Sequence, residues 1–295
     1  MLDLNRLRLL LELQRRGTIT AVAQALSYSP STVSHQLATL ERETGVRMLE
    51  PAGRRVRLTP QAELLAEHAA GLLEQAERAE AALAGTHDEI VGTLRIAAFQ
   101  TALLTLVPPA ITRLNQQHPR LRVEVTELEP EVALPGLLTG TFDLVIAEEY
   151  PGRPLPRTRD TEHEILADDL LHLVVPTMWP VRRLADLADR PFVMERTGSA
   201  ARDWAIAACR TAGFDPDVRY SSSDLLVHLR MVEEGLAAAL LPALAGSQGR
   251  ADVRVHALEH SPQRRLLVTV RRGALQHPKT QKFTEALRYG TAASR

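Results

Sequence analysis

Residues 18–62 set two helix-start signals, a short break and an arginine-rich hairpin one after another, and few small folds accommodate that order. Thr18 suits an N-cap for a helix over 19–26, with Ala21, Val22, Ala25 and Leu26 as its apolar set. Ser29 suits a second N-cap. Pro30 then falls at the first helical position, where its missing N–H costs nothing, and the helix should run to about Glu43. At 100° per residue Val33, Leu37 and Leu40 cluster on one face, while Ser31, His35, Ala38 and Arg42 lie opposite. That outer face is short, polar and slim enough to enter a major groove. A helix entering by its N-terminal end offers Ser31, Thr32 and His35 to base edges, with Ser29 and Ser34 beside them and Arg42 nearer phosphate. Residues 47–58 read as two strand-like arms around a turn at Pro51, Ala52 and Gly53. Arg54, Arg55 and Arg57 crowd the second arm, as on a wing lying along a DNA backbone.

The charge distribution agrees. Residues 1–60 hold nine arginines against five acidic residues, and residues 61–90 hold one against seven, so the net of −1 conceals a basic head and an acidic stretch after it. Lys279 and Lys282 are the only lysines, a bias that fits a GC-rich genome and carries no function. At 295 residues the chain is long enough for two or three cores. A single cysteine, Cys209, excludes an internal disulfide and fits a reducing compartment. The first residues lack a signal peptide's apolar core and no apolar run is long enough to span a bilayer, so a cytoplasmic protein without a membrane partner is expected.

From 61 to 83 the chain is rich in Ala, Leu and Glu and lacks proline, as a long helix requires. Ala62, Leu65, Ala69, Leu72, Ala76, Ala79 and Leu83 step by three and four, a heptad seam that predicts pairing of two chains. A homodimer would present two heads to an interrupted dyad with half-sites about 34 Å or a multiple apart.

Beyond a break at 85–92, strand-like and helix-like stretches alternate. Strands at 94–98, 121–126 and 142–147 enclose helices at 102–117 and 131–139, the rhythm of a parallel sheet covered by helices. After a proline-rich stretch at 151–156, a second unit follows with strands at 170–175, 192–194, 218–220 and 237–241 and helices at 200–212 and 223–234. A strand at 266–270 and a helix at 278–287 return to the first unit. Two lobes joined by two crossings make a cleft. Ligands in such sheets sit beyond the strand ends, where helix starts offer free N–H groups. Phe99, Gln100 and Thr101, then Thr197 and Ser199, then Ser221 and Ser222 occupy such ends, and Glu148, Glu195 and Arg196 fall close by. Both signs of charge are therefore expected in the cleft, suiting a zwitterion or a carboxylate.

These residues resemble the LysR-type transcriptional regulators of bacteria over nearly the whole chain. The resemblance rests on Val33, Ser34, His35, Gln36 and Leu37 with Leu40 and Glu41 behind them, on Gly45, Val46 and Arg47 followed by Gly53 to Thr59, and on Gly92, Thr93, Leu94, Arg95 and Ile96. It departs from the family's usual pattern at Pro30 and Ser31, where Gln-Pro is common, at Ile19, where an aromatic is usual, and at Glu50 and Pro51, where an arginine is frequent. The resemblance implies an α/β protein with an N-terminal winged helix-turn-helix (1–60), a linker helix and hinge (61–90), and a two-lobed effector domain (91–295) similar to periplasmic solute-binding proteins. Lobe I would comprise about 91–160 and 266–295, and lobe II about 161–265. It implies double-stranded promoter DNA and a small-molecule effector as partners, no cofactor, and a homodimer through the linker helix that pairs into a tetramer.

An enzyme reading finds little support. His256 to His260 fits an H-x-x-E-H metal motif, but Val253, Val255 and Ala257 alternate as in a strand, and that motif needs a helix to bring its imidazoles together. The alternative to a regulator is a two-lobed solute-binding or catalytic protein whose basic head serves association only.

Overall fold

The computed structural model describes residues 1–26, 28–52, 55–87 and 89–293, with side chains left aside at 52, 55 and 290–293. The head opens with α1 (Leu4–Arg16), which Asp3 caps by accepting from the Asn5 and Arg6 N–H groups and which Gly17 ends in the left-handed region. Next come α2 (Ile19–Ala25) and α3 (Pro30–Thr44), capped by Thr18 and Ser29 as their sequence signals predict. Leu7, Leu10, Val22, Val33, Leu37 and Leu40 bury one face of each helix in a common core.

The wing pairs β1 (Leu49–Ala52) with β2 (Arg55–Leu58) in antiparallel register, Glu50 opposite Arg57 and Ala52 opposite Arg55. Pro51 and Ala52, expected in the turn, therefore belong to β1. Gly53 and Arg54 lie outside the described residues, as does the Arg55 side chain.

Thr59 starts α4 (Pro60–Ala84), its hydroxyl donating to the Arg47 carbonyl and accepting from the Ala62 N–H. The predicted seam divides along this helix. Ala62 and Ala69, with Ala66, are buried in the head's own core beside α1, whereas Leu72 and Leu83 are 42% and 68% exposed. Small residues in the first half let α1 approach closely, and only the later seam, continued towards the N-terminus by exposed Leu64, faces outward.

The second, two-lobed part follows with β3 (Gly92–Ala98), α5 (Gln100–Thr105), α6 (Val107–Gln117), β4 (Leu121–Glu127), α7 (Pro130–Thr139) and β5 (Leu144–Glu149). The single helix expected at 102–117 is thus two, because Pro108 and Pro109 fit only a helix's first turn. β4 and β5 flank β3 in parallel. Alternate residues serve opposite cores: Leu94, Ile96, Leu144 and Ile146 meet α6 and the last helix, α10 (Pro278–Ala293), while Ala97, Val145 and Ala147 meet α7.

One long strand, β6 (Thr161–Pro176), belongs to both lobes. Its first part pairs antiparallel with β11 (Gln263–Arg271), itself paired with β5, so residues 161–167 complete the sheet of lobe I, to which they were not assigned. Charged residues on that part break the apolar run by which a strand is read, and pairing with β11 supplies what local sequence does not. The second part of β6 pairs with β9 (Ala239–Pro242) and β10 (Val253–Ala257) in lobe II. There β7 (Pro191–Met194) and β8 (Asp217–Ser221) pair in parallel, Phe192 bridges to Ala238, and α8 (Ala200–Thr211) and α9 (Leu225–Glu233) cover the faces. Gly273, at φ +91°, brings lobe I against the linker helix: a Cβ there would lie 2.8 Å from the Glu74 carbonyl oxygen.

Candidate functional site

On the head, α3 turns Val33, Leu37 and Leu40 inward and leaves Ser31, Thr32, Ser34, His35 and Arg42 exposed. Its first turn carries a cluster of hydroxyls: Ser29 Oγ lies 2.7 Å from Ser31 Oγ and 2.8 Å from Thr32 Oγ1, and accepts the Thr32 N–H at 3.1 Å. Ser29 thus serves first as the cap that holds its neighbours in place. Further along, Arg42 donates to Thr39 Oγ1 at 2.7 Å, which steadies the guanidinium at the helix's outer end. Glu41 fixes the helix to the wing by accepting from the Met48 N–H at 2.7 Å and the Leu49 N–H at 3.3 Å. Across the wing, Arg57 is ion-paired with Glu50, so the acidic residue found where the family often has arginine holds one of the wing's own cations.

The second candidate region is where β6 and β11 cross between the lobes. Its centre is Arg264, a residue sequence reading missed, 1% exposed. Arg264 forms an ion pair with Glu148 on β5, donates through Nε to Asp169 Oδ2 at 2.9 Å and through Nη2 to Thr101 Oγ1 at 2.7 Å, and lies over the Phe99 ring. Asp169 is its register partner across the two crossing strands. Burial draws the guanidinium's pKa down, but Glu148, Tyr150 and Asp169 more than offset that, so its proton is held more tightly than usual. The signal that could have found it is period two: Arg264, Leu266, Val268 and Val270 share one face, and a lone charge on a core face marks a buried site.

Around this centre the expected residues divide. Phe99, Thr101 and Glu148 contact Arg264 directly. Gln100 reaches across the cleft instead: its Nε2 donates to Asp224 Oδ1 at 2.7 Å and its Oε1 accepts the Leu225 N–H at 2.8 Å, the start of α9 in lobe II. The free amide of a helix start, expected to await a ligand, is therefore already satisfied by the protein itself. Glu195 lies within electrostatic reach of Glu148, and burial followed by that repulsion raises its pKa to about 7. Glu129, also missed, sits where α7 begins, and burial, then Glu148 and Glu195, raise it to about 8. Burial likewise raises Glu148, against the pull of Arg264.

The serines mostly serve the backbone. Ser199 caps α8, Ser222 accepts from the Asp224 N–H, and Ser221 donates to the Glu195 carbonyl, which also accepts from Arg202 at 2.9 Å. Thr197 and Arg196 are exposed on the turn before α8, away from Arg264's contacts. Arg264 is thus fully engaged by the carboxyls of Glu148 and Asp169, and Arg202 stands at the Glu195 backbone, so both signs of charge meet near the crossing.

His256 lies on β10 and Glu259 and His260 in the turn after it, an arrangement unlike a helical zinc motif, and the described residues contain no cluster suited to a metal ion. Cys209 is buried inside α8, where desolvation pushes its thiol up to about 12. No helix among the described residues is long and apolar enough to cross a membrane.

Comparison with known proteins matches this geometry along the chain. The bacterial regulatory helix-turn-helix protein of the lysR family matches residues 4–63, and the LysR substrate binding domain matches residues 87–292. The probable HTH-type transcriptional regulator LrrA of Synechococcus elongatus is 28% identical over 306 residues, covering 97% of each chain. The DNA-binding transcriptional dual regulator OxyR of Escherichia coli is 28% identical over 298 residues, covering 97% of this chain and 95% of its own. Among solved structures, a full-length OxyR variant from Pseudomonas aeruginosa gives a TM-score of 0.66 at 22% identity over 98% of this chain and 95% of that one. Full-length CbnR complexed with its target DNA gives 0.54 at 23% identity over 98% and 100%. At such identities the structures share a fold, a winged head joined by a long helix to a two-lobed α/β domain. The two domain matches settle the kinship: the chain belongs to the LysR family of bacterial DNA-binding transcriptional regulators.

Proposed function

We propose that this regulator senses a small molecule in the cleft between its lobes, and that the molecule acts by displacing Gln100 from the start of α9. The observation that carries the reading is the double hydrogen bond from Gln100 to Asp224 and the Leu225 N–H, a single side chain that both occupies the ligand-binding end of a helix and ties lobe I to lobe II. A ligand supplying its own acceptor there releases the tie, and its differential affinity for the two lobe arrangements is the free energy that reaches the head. Glu129, Glu148 and Glu195 favour an effector whose other end carries a hydrogen-bond donor or a cationic nitrogen.

On the DNA side, Ser31, Thr32 and His35 are assigned to base edges and Arg42, Arg55 and Arg57 to phosphates, with Ser29, Ser34 and Arg54 beside them. Two chains joined along the exposed part of α4 present two such heads in the cytoplasm, and two dimers assemble into a tetramer. The cleft binds and does not turn over its ligand, and no cofactor is required. Several relatives are described as activators of hydrogen peroxide-inducible genes. Peroxide sensing by cysteine needs an accessible thiolate, and the buried thiol of Cys209, held to about 12, favours a ligand signal instead.

The test is a footprint of the wild-type protein and of Gln100→Ala on the DNA upstream of the chain's own gene, at near-physiological salt with random competitor. Wild type is expected to protect an interrupted dyad. Gln100→Ala should bind with affinity within about threefold but protect a different length or show altered cleavage between half-sites. Identical footprints would show that the Gln100 contact does not govern head placement.

A further inference from the structure

Away from both regions, α1, α4 and the end of β11 enclose a cavity of about 400 Å³ at the junction of head, linker and lobe I. Five arginines line it, and their partners can be followed one by one. Every acidic residue of the lining is already engaged: Glu77 by Arg271, Glu74 by Arg78, and Asp160 by Arg15 at 2.5 Å. Arg8 stands 4.0 Å from the same Glu77, and burial, then the nearby Arg271, lowers its pKa. Arg159 and Arg272 have no carboxylate partner among the described residues. The Arg272 Nε is buried with no hydrogen-bond acceptor, although its backbone is fixed by donation to the Asp160 carbonyl at 2.8 Å. A buried guanidinium N–H without an acceptor costs stability, and the deficit disappears when an anion enters.

We propose that this cavity is a second ligand site, for a compact multivalent oxyanion held by Arg159 and Arg272 with Arg8 opposite. A phosphate ester and a polycarboxylate offer the same planar or tetrahedral array of acceptors to forked guanidinium donors. The volume suits a molecule larger than a lone phosphate ion. Its walls come from α1 of the head, from the linker helix and from the strand that crosses between the lobes, so an anion seated there braces the head against the effector domain. This site shares no residue with the cleft that holds Gln100 and Arg264.

Isothermal titration calorimetry on the full chain, at fixed ionic strength, would use inorganic pyrophosphate and citrate as probes. One saturable site per chain is expected for at least one of them, weakened tenfold or more in Arg159→Gln and in Arg272→Gln and unchanged in Arg57→Gln on the wing. Arg159 is exposed, so its replacement leaves the core intact even if Arg272→Gln impairs folding. Stronger binding of pyrophosphate assigns the site to phosphate esters, and stronger binding of citrate to polycarboxylates. The proposal fails if neither probe binds the wild type saturably, if Arg159→Gln binds with wild-type affinity, or if Arg57→Gln alone abolishes binding.

Discussion

At the scale of single residues, Arg264 shows how a buried charge binds stability to geometry. Its partners Glu148 and Asp169 are buried too, so removing the guanidinium leaves two carboxylates without their cation. Arg264→Met should cost about 3–5 kcal/mol in urea unfolding, the range for breaking a buried pair from one side; a loss below about 1 kcal/mol would mean the cluster is solvated. Glu129 and Glu195 carry a second test. Both titrate near the ordinary carboxylate range when unfolded, about 4.3, and at about 8 and 7 when folded. Between those limits the folded state holds protons that the unfolded state has released, so the stabilising contribution, full below about pH 4, declines from about 4.3 and is lost by about pH 7 for Glu195 and about pH 8 for Glu129. Glu129→Gln mimics the protonated carboxyl. Relative to wild type its Tm should be raised much more at pH 8.5 than at pH 5, and an equal shift at both would remove Glu129's titration as the cause. The sequence named Glu148 and Glu195 from their strand ends, but Glu129 escaped notice because a carboxyl at a helix start reads as an ordinary cap until β5 and β7 are brought beside it.

Among the elements, α2 and α3 were legible because each begins with a hydroxyl cap at the right distance from an apolar stripe, and no tertiary contact is needed to see it. The linker seam was legible only in part. A heptad states that one face is apolar but not what covers it, and here α1 covers Ala62 and Ala69 while the later residues stand free. The proposed pairing of two chains should therefore centre on the exposed Leu72 and Leu83. The double variant Leu72→Glu, Leu83→Glu is expected to sediment as a monomer at micromolar concentration with an unchanged circular dichroism spectrum. A persistent dimer would move the interface elsewhere. Long elements with mixed sequence were the hardest to read: β6 begins with Thr161, Glu162, His163 and Glu164, residues that look like a loop until β11 lies alongside, and the α5–α6 break depends on two prolines whose place in the first turn, not the interior, decides the outcome.

For the whole molecule, the order of parts follows from local periodicity, whereas the way the parts meet does not. The cavity under α1 and α4, the reach of Gln100 and the ring of contacts around Arg264 join residues more than a hundred positions apart, and no window of sequence holds both sides of any of them. The strand β6 has one more consequence. Because β6 and β11 stay hydrogen-bonded from lobe I to the crossing, with a single bulge between Leu266 and Leu267, the lobes are joined by a ribbon and not by a pair of loose cords. The two lobes of the chain are therefore held together by paired backbone along the crossing, so the same hydrogen bonds that complete the sheet of lobe I also fix where lobe II begins.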